Sequence, residues 1–337
     1  MAPTKKKSKA TKKKIQTKVL VTGGLGFIGS KVVEKLQKAN YEVEVVDALT
    51  TYGLLDKDEL EYLYNERLKL FREDTKIHKI DVAEIALMDT VFAEFKPDYV
   101  MHLASFPNEK LTKENPVEAA HTMCQGLATV LANCVRHEVK RIMYTSSSMV
   151  LGSFKDGVTE SHRTDPQGSY AIWKHAGEQI VKQFYKESDL DYVIVRPSAV
   201  YGPLDNGNRV IAKFIINAMR NSTLSVNGVK EKLDFTYVDD LADGMIKSVI
   251  KGKTGTYNLT RGKSVSIKDA AVTVTNTVGK GSVGIKDKDQ DQPSRGALNI
   301  DKAKTDLKFN PKIDIEKGIK LYYEWIKDSV YWSSKTV

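Results

Sequence analysis

A tyrosine and a lysine four residues apart, Tyr170 and Lys174, are the residues best suited to move a proton. On a helix this spacing places both side chains on one face, about one turn apart. A nearby ammonium favours the phenolate and so lowers the pKa of a phenol, which lets a tyrosine act as acid or base. The pair also arises by chance on amphipathic helices, so its weight depends on what surrounds it.

Three consecutive serines, Ser146–Ser148, follow the apolar run Arg141–Thr145. If that run is a strand of a parallel sheet, the hydroxyls lie at the carboxyl edge, where such sheets bind ligands. A serine there can donate a hydrogen bond to a reacting oxygen beside the tyrosine. The alternative is a serine-rich loop that only caps the next element.

Three glycines spaced three residues apart, Gly23, Gly26 and Gly29, join an apolar strand to a helix. Glycine suits the tight turn, the close approach of a pyrophosphate and the packing of the helix on the strand. The helix start, around Phe27 and Ile28, then offers N–H groups and a partial positive charge to the phosphates. This context indicates a dinucleotide-binding site.

An acidic residue, Asp47, ends the next predicted strand, eighteen residues after Gly29. A carboxylate at this place accepts hydrogen bonds from adenosine ribose hydroxyls and repels a 2′-phosphate, which predicts NAD rather than NADP. A loop aspartate without a ligand is the alternative interpretation. Asp81 and Val82 form a weaker candidate for the adenine pocket, since a simple turn explains them nearly as well.

Short β-branched runs alternate with longer helical stretches after the first 17 residues, which is typical of a parallel sheet covered by helices. We therefore predict an α/β fold with a doubly wound Rossmann sheet. The predicted strands are Lys18–Thr22, Glu42–Asp47, Leu68–Phe71, Tyr99–Leu103, Arg141–Ser146 and Tyr192–Arg196. The predicted helices are Phe27–Lys38, Ile85–Glu94, Ala119–His137 and Tyr170–Tyr185.

This alternation gives way to glycine-punctuated loops and shorter elements after about residue 197. We predict an NAD-binding Rossmann domain over residues 18–196 and a smaller C-terminal substrate-binding lobe over residues 197–330. The segment around residues 234–250 is a candidate for returning to the first domain.

Composition places the chain among soluble globular proteins, with 41% hydrophobic and 28% charged residues. It shows no apolar stretch long enough to cross a bilayer and no apolar segment of a secretory signal. We therefore expect a cytoplasmic protein with no membrane partner. The two cysteines, Cys124 and Cys134, lack metal-ligand spacing, so neither a disulfide nor a metal site is expected.

The net charge of +9 comes almost entirely from eight lysines among the first 18 residues, which contain no acidic residue. A lysine-rich run without apolar periodicity predicts a disordered, solvated tail over residues 1–17. Loose attachment to an anionic surface or a localisation signal is the alternative. Nucleic-acid binding is not predicted from this tail.

Taken together, these residues resemble the extended short-chain dehydrogenase/reductase family, in its NAD-dependent nucleotide-sugar epimerase and dehydratase branch. The resemblance covers almost all of the chain after the tail. The matching segments are Thr22–Gly29, His102–Ser105, Asn115–Pro116, Thr145–Ser148, Tyr170–Lys174, Arg196–Pro203, Asp234–Asp240 and Arg295 before Asp301–Lys304.

This resemblance implies roles for individual residues. Tyr170 would be the acid and base, Lys174 its pKa partner and a ribose ligand, and Ser147 the hydroxyl that orients the sugar. Bound NAD would take a hydride from the sugar, usually at C4. The implied cofactor ligands are Gly23, Gly26, Phe27, Ile28, Gly29, Asp47, Asp81, Val82, Leu103, Ala104, Tyr170 and Lys174.

On the substrate side the resemblance implies a nucleotide-diphosphate sugar held partly by the second lobe. Arg295 is the best candidate for the diphosphate, because a guanidinium can donate two parallel hydrogen bonds. A surface arginine in a polar loop is the alternative. The implied substrate ligands are Ser147, Ser148, Tyr201, Lys232 and Arg295.

Several positions depart from the branch pattern. Dehydratases carry an Asp-Glu pair directly after the active-site hydroxyl residue, and related decarboxylases keep that glutamate, but this sequence has Ser148-Met149 there. Both reactions are therefore disfavoured. The remaining departures concern the identity of the nucleotide sugar: Met123 and Ala199 replace asparagines, Leu151 replaces a tyrosine, and Leu233, beside Lys232, replaces an arginine.

Three functions stay open at this point. The first is a nucleotide-sugar epimerase, most simply a 4-epimerase that acts through a 4-keto sugar. The second is an NAD(P)-dependent reductase or dehydrogenase of the same family, against which Asp47 counts because such reductases often prefer NADPH. The third is a non-catalytic NAD-binding regulator, which would not need Ser147, Tyr170 and Lys174. The resemblance also implies a homodimer formed through the helices around Ala119–His137 and Tyr170–Tyr185.

Overall fold

The computed structural model describes residues 16–51, 53–288 and 293–335, so residues 1–15 of the predicted tail lie outside the described residues. The strands are β1 (Lys18–Thr22), β2 (Glu42–Val46), β3 (Ile77–His78), β4 (Tyr99–His102), β5 (Arg141–Thr145), β6 (Asp191–Arg196), β7 (Val200–Tyr201), β8 (Thr223–Asn227), β9 (Lys232–Leu233), β10 (Thr236–Tyr237), β11 (Gly255–Asn258), β12 (Val265–Ser266) and β13 (Ser282–Lys286). The helices are α1 (Phe27–Lys38), α2 (Lys57–Leu68), α3 (Ile85–Phe95), α4 (Glu109–Glu114), α5 (Pro116–Ala120), α6 (Leu127–Arg136), α7 (Ser169–Ser188), α8 (Val210–Met219), α9 (Val238–Lys251), α10 (Ile267–Val278), α11 (Asp301–Leu307), α12 (Ile315–Asp328) and α13 (Val330–Lys335).

A seven-stranded sheet in the order β11-β6-β5-β4-β1-β2-β3 forms the centre of the molecule. All of its neighbouring strands run parallel, which confirms the predicted α/β fold with a doubly wound sheet. In the register, Thr22 pairs with both Val46 and His102, and His102 pairs with Tyr144. The loops that carry the glycines, Asp47 and the serines therefore leave the sheet at the same edge.

The predicted strand Leu68–Phe71 is wrong. Leu68 is the last residue of α2, and the N–H of Phe71 donates to the carbonyl of Leu68 in a following turn. The helix begins where the Asp56 carboxylate accepts the N–H of Glu59, a cap that the apolar run further along does not reveal. The third strand lies later, at Ile77–His78, where it pairs with the edge of β2.

The predicted helix Ala119–His137 is divided into three helical segments. Helix α5 starts at Pro116, a π-helical turn spans His121–Gly126, and α6 continues from Leu127. A Cβ on Gly126 would lie 2.6 Å from the side chain of Val82, so the turn passes close to the loop after β3. Such π-helical turns often occur at functional sites.

Two of the hydrophobic clusters mark different parts of the chain. One lies on the main sheet and includes Val21 and Met143, and the other joins α8, α10 and α12 around Phe214 and Tyr322. Helix α9 packs against α1 on the main sheet through Leu241 and Met245, and β11 pairs with β6. The chain therefore returns from the second core to the sheet over residues 238–258.

Cys124 and Cys134 are both free thiols. Among residues 16–51, 53–288 and 293–335, no group of three or more His, Cys, Asp or Glu side chains is placed to hold a metal ion. Within the same described part of the chain, every helix is too short or too polar to cross a membrane.

Candidate active site

The glycine turn between β1 and α1 is built so that the helix start stays open. The N–H of Gly23 donates to Val46 at 2.8 Å, and the N–H of Gly26 donates to Gly23 at 3.1 Å. A Cβ on Gly29 would lie 2.1 Å from the carbonyl oxygen of Gly23, so a side chain there would push the helix off the turn. No side chain caps the N-terminus of α1, which leaves its N–H groups for an anionic ligand.

A cleft of about 630 Å³, counting its open mouth, lies beside this turn at the carboxyl edge of the sheet. Seven of the residues expected to bind the cofactor line it: Gly23, Gly26, Asp47, Asp81, Val82, Leu103 and Ala104. Phe27, Ile28 and Gly29 lie in the adjoining first turn of α1 instead, and Ile28 packs against the core.

The carboxylate of Asp47 is fixed by the backbone. One oxygen accepts the N–H of Leu25 at 2.9 Å, and the other accepts the N–H of Leu49 at 2.9 Å. Burial raises the pKa of Asp47, although these two hydrogen bonds and the nearby Arg67 act in the opposite direction. Each carboxylate oxygen keeps a second lone pair, so the group can still accept hydrogen bonds from ribose hydroxyls.

Replacing Asp47 by asparagine is expected to weaken NAD binding by about tenfold or more, because a charged acceptor is lost and an amide NH₂ faces a backbone N–H. Discrimination against NADP should fall as well, since the repulsion of a 2′-phosphate disappears. Calorimetric titration of the cofactor-stripped protein with each dinucleotide measures both effects. The exposed Asp74→Asn is the matched control. Unchanged affinity for both dinucleotides would remove Asp47 from the cofactor site.

Two buried hydroxyls support a dinucleotide in this region. Among the described residues, the hydroxyls of Ser105 and Thr145 are buried without a hydrogen-bond partner. Ser105 lines the cleft directly, and Thr145 ends β5 at the same sheet edge. Buried hydroxyls are normally hydrogen-bonded, so unpaired ones at a cleft are suited to a polar ligand. Together with the open helix start, they fit NAD.

Tyr170 and Lys174 lie in the first two turns of α7, as their spacing predicts. The ammonium of Lys174 is 5.7 Å from the centre of the Tyr170 ring and donates to the carbonyl of Thr145 at 2.7 Å. Burial lowers the pKa of Lys174 to about 7. Burial raises the pKa of Tyr170 to about 12. The positive charge of Arg209, from the second lobe, acts in the opposite direction and lowers this pKa.

The three serines after β5 point in different directions. Ser147 is partly exposed, and its hydroxyl accepts the N–H of Met149 at 3.2 Å, which leaves its proton free to donate. The side chain of Ser148 is 1% exposed, and its N–H donates to Pro197. Among the described residues the hydroxyl of Ser148 has no hydrogen-bond partner, as at Ser105 and Thr145, so its place among the substrate ligands stays a prediction. Ser146 is buried against Glu178.

Tyr201, a predicted substrate ligand, is buried in the second core. Its side chain is 2% exposed, and its hydroxyl donates to the carbonyl of Asp314 at 3.2 Å. The ring packs edge-on against Phe235 and Tyr237 in the second core. Tyr201 therefore packs inside the second core, and its place among the substrate ligands stays a prediction.

Lys232 and Arg295 line a second cavity, between the loop after β5 and the second lobe. Lys232 is paired with Asp156, so its charge is already compensated. Among the described residues, the Nε of Arg295 is buried without a hydrogen-bond partner, and Glu231, an acid near it, pairs with Lys288 at 3.1 Å. Of the two expected substrate ligands in this cavity, Lys232 already has an acidic partner, whereas a buried donor of Arg295 has none among the described residues.

Sequence reasoning missed some residues of the cofactor cleft. Tyr64 and Arg67 come from α2, which was not predicted, and Ser105 follows the four residues of β4. The guanidinium of Arg67 donates to the carbonyl of Leu25 at 2.9 Å and to that of Leu204 at 2.8 Å. It thus ties the glycine turn to the second lobe. The charged and aromatic residues that follow Asp56 in the sequence could have predicted this helix.

The open glycine turn, the acidic residue after β2 and the tyrosine and lysine on α7 define an enzyme of the dinucleotide-binding Rossmann class. The chain belongs to the NAD dependent epimerase/dehydratase family, which it matches over residues 19–260. The resemblance seen in the sequence is thereby confirmed. NAD is the cofactor of this enzyme.

Individual relatives match over nearly the whole chain. The chain is 28% identical over 318 residues to a putative UDP-glucose 4-epimerase of Methanocaldococcus jannaschii, covering 92% of this chain and 99% of that protein. It is 30% identical over 322 residues to UDP-glucuronic acid decarboxylase 6 of Arabidopsis thaliana, covering 91% and 88%. The crystal structure of UDP-glucose 4-epimerase from Thermotoga maritima with UDP-glucose has a TM-score of 0.83 at 25% identity, covering 92% and 99%. These names include two reactions, so family membership alone leaves the reaction to be decided.

Proposed function

We propose that this enzyme is an NAD-dependent nucleotide-sugar epimerase, most simply a 4-epimerase. The proposal rests on one combination of residues. Ser147, Tyr170 and Lys174 are present near the cofactor cleft, and position 149 is a methionine. The family resemblance implies a glutamate at that position in dehydratases and decarboxylases. An epimerase needs one group that removes and returns a single proton. It has no need of a further acid at position 149.

In this proposal each residue of the site has a separate role. Tyr170 takes the proton of the sugar hydroxyl as the carbon beneath it is oxidised, and it returns a proton when the ketone is reduced. Lys174, held by the Thr145 carbonyl, keeps its donors near the ribose and the tyrosine. Ser147 donates a hydrogen bond to the reacting oxygen. Bound NAD supplies the acceptor and donor of hydride.

The diphosphate of the substrate is assigned to Arg295. Its unpaired Nε is buried in the second cavity, and its neighbour Lys232 is compensated by Asp156. A guanidinium with a buried, unpaired donor gains from an anionic ligand, because leaving that donor unpaired is costly. This assignment supports a nucleotide-diphosphate sugar as the substrate class, with the base and the sugar to be found by assay.

The assay uses protein purified with its own cofactor. The dinucleotide is released by denaturation and identified, and the native protein is incubated with UDP-, dTDP-, GDP- and CDP-sugars. We expect NAD to be released and one sugar to be isomerised with no net change in the absorbance of reduced nicotinamide. Tyr170→Phe is the control that should abolish the product.

Other outcomes would replace the proposal. Release of carbon dioxide from a nucleotide-linked uronic acid would identify a decarboxylase, and stoichiometric consumption of added NADH or NADPH would identify a reductase. Tight NAD binding with no turnover of any nucleotide sugar would favour a regulator.

We also propose a homodimer formed by the outer faces of α6 and α7. Apolar side chains lie exposed on these helices, with Val135 39% and Ile172 52% accessible, and a shallow groove on α6 is lined by Ala128 and Ala132. Sedimentation equilibrium should give about twice the chain mass of 37.7 kDa, and Ala132→Arg should shift the protein to monomer. A monomer at micromolar concentration would contradict this arrangement.

A further inference from the structure

A carboxylate from another part of the chain holds the start of the helix that carries Tyr170. The N–H of Ser169 donates to one oxygen of Glu109 at 2.6 Å, and the N–H of Tyr170 donates to the other at 2.8 Å. The residue before the helix, Gly168, has no side chain with which to cap it. Glu109 therefore satisfies two N–H groups that the helix leaves unpaired, from 60 residues away in the sequence.

The backbone around Gly168 is shaped to admit this carboxylate. Gly168 has a φ of +89°, a conformation that glycine adopts without strain. A Cβ at this position would lie 2.7 Å from the carboxyl atoms of Glu109. The glycine thus allows both the turn into α7 and the close approach of Glu109.

Glu109 is itself held in place. It is the first residue of α4, which Asn108 caps by accepting the N–H of Leu111 at 3.0 Å. Leu111 belongs to a small core against which Tyr170 packs. From the second lobe, Arg209 donates to the carbonyl of Pro107 at 3.0 Å. The segment before Glu109 is therefore tied both to the catalytic helix and to the second lobe.

We propose that Glu109 is a positioning residue for Tyr170: it fixes the first turn of α7 and places a negative charge beside the reacting phenol. This inference rests on the proposed function, in which Tyr170 moves the proton. Glu109 bonds only to the backbone of α7, so it acts through Tyr170 and is not itself an acid or base of the reaction.

The charged and titratable groups around Tyr170 come from four elements. Lys174 lies one turn along α7, Tyr144 lies on β5, Arg209 comes from the second lobe, and Glu109 comes from α4. Burial has the largest effect on the pKa of Tyr170, Arg209 lowers this pKa, and Glu109 raises it. Removing the charge of Glu109 should therefore lower the pH at which Tyr170 loses its proton.

The test compares Glu109→Ala, Glu109→Gln and the exposed Glu114→Gln on the same short helix, each with NAD bound. Hydrogen exchange reports the amides of Ser169 and Tyr170 without any substrate. We expect these amides to exchange about tenfold faster in Glu109→Ala and more slowly than that in Glu109→Gln, whose carbonyl oxygen can still accept a hydrogen bond. Glu114→Gln should match the parent.

With the substrate found by the assay above, kcat of Glu109→Ala should fall by about 10–100-fold with KM changed less than about threefold. The acidic limb of the kcat–pH profile should move to lower pH in both Glu109 variants, because both lose the charge. If Glu109→Ala fails to fold, Glu109→Gln carries this test alone.

Exchange rates equal to the parent would overturn the proposal even if no substrate is found. A loss of kcat with an unmoved pH profile would also overturn it, because it would show a purely structural cap. Failure of the proposed function gives a different pattern, in which the amides of α7 lose protection in Glu109→Ala while no nucleotide sugar is turned over.

Discussion

Tyr170→Phe is expected to lower kcat by about 10²–10⁴-fold, the usual contribution of a positioned acid or base. Phenylalanine keeps the ring that packs against Phe106 and Leu111, so the fold and the start of α7 should be preserved. What is lost is the one hydroxyl that receives the sugar proton in the proposed function.

The measurement is kcat with the best nucleotide sugar, together with the NAD content and melting temperature of the variant. Tyr185→Phe, on the exposed end of the same helix, is the matched control and should retain full activity. If Tyr170→Phe kept more than about a tenth of the parent kcat, a different residue would have to move the proton.

Glu178→Ala is expected to destabilise the protein by about 3–5 kcal/mol, because it leaves a buried guanidinium without its partner. Glu178 lies one turn after Lys174 on α7, and Arg196 ends β6. Arg196 binds both carboxylate oxygens, at 2.8 and 2.7 Å, and the two side chains are 3% and 0% exposed. The hydroxyl of Ser146 donates to the same carboxylate at 2.6 Å.

The pair should also give the stability a defined pH dependence. Burial raises the pKa of Glu178, but the hydrogen bonds and charge of Arg196 outweigh burial, so the pKa lies below its ordinary value of 4.5. A carboxyl with a lowered pKa in the folded state stabilises the fold at neutral pH. That contribution is lost as the pH falls through the lowered value.

Urea unfolding at fixed NAD concentration measures the free energy of unfolding of each variant. Glu187→Ala, at an exposed position on the same helix, is the control and should change it by less than about 1 kcal/mol. Replacing both partners, in Glu178→Leu with Arg196→Met, should cost less than Glu178→Ala alone, because no charge is left buried. A double variant as unstable as the sum of both single ones would show that the pair is not coupled.

Local sequence predicted those parts of the site that lie on one turn or one helix. The glycine spacing fixes a strand–turn–helix whose geometry is set within about eleven residues, from Val19 to Gly29. The spacing of Tyr170 and Lys174 likewise determines that both lie on one face of α7. These features depend on backbone geometry near in sequence, and the structure has them where the sequence placed them.

The sequence was ambiguous where a local pattern fitted two kinds of secondary structure, or where tertiary packing determined the exposure of a side chain. The alternating run from Leu68 to Phe71 looks like a strand, but the Asp56 cap starts a helix before it and moves the third strand to Ile77. Ser147 and Ser148 are chemically the same, and only the tertiary structure shows that Ser147 is partly exposed while Ser148 is buried under Pro197.

By itself, then, the sequence predicted the fold class, the family, the cofactor turn and the tyrosine proposed to move the proton, because each of these is indicated by residues that lie close together in the chain. Only the tertiary structure decided how distant charges act on them. Asp156 compensates Lys232 from 76 residues away, and Glu109 reaches the N–H of Tyr170 from 61 residues away. Such contacts depend on how the elements pack around the sheet edge, and no spacing along the chain encodes them.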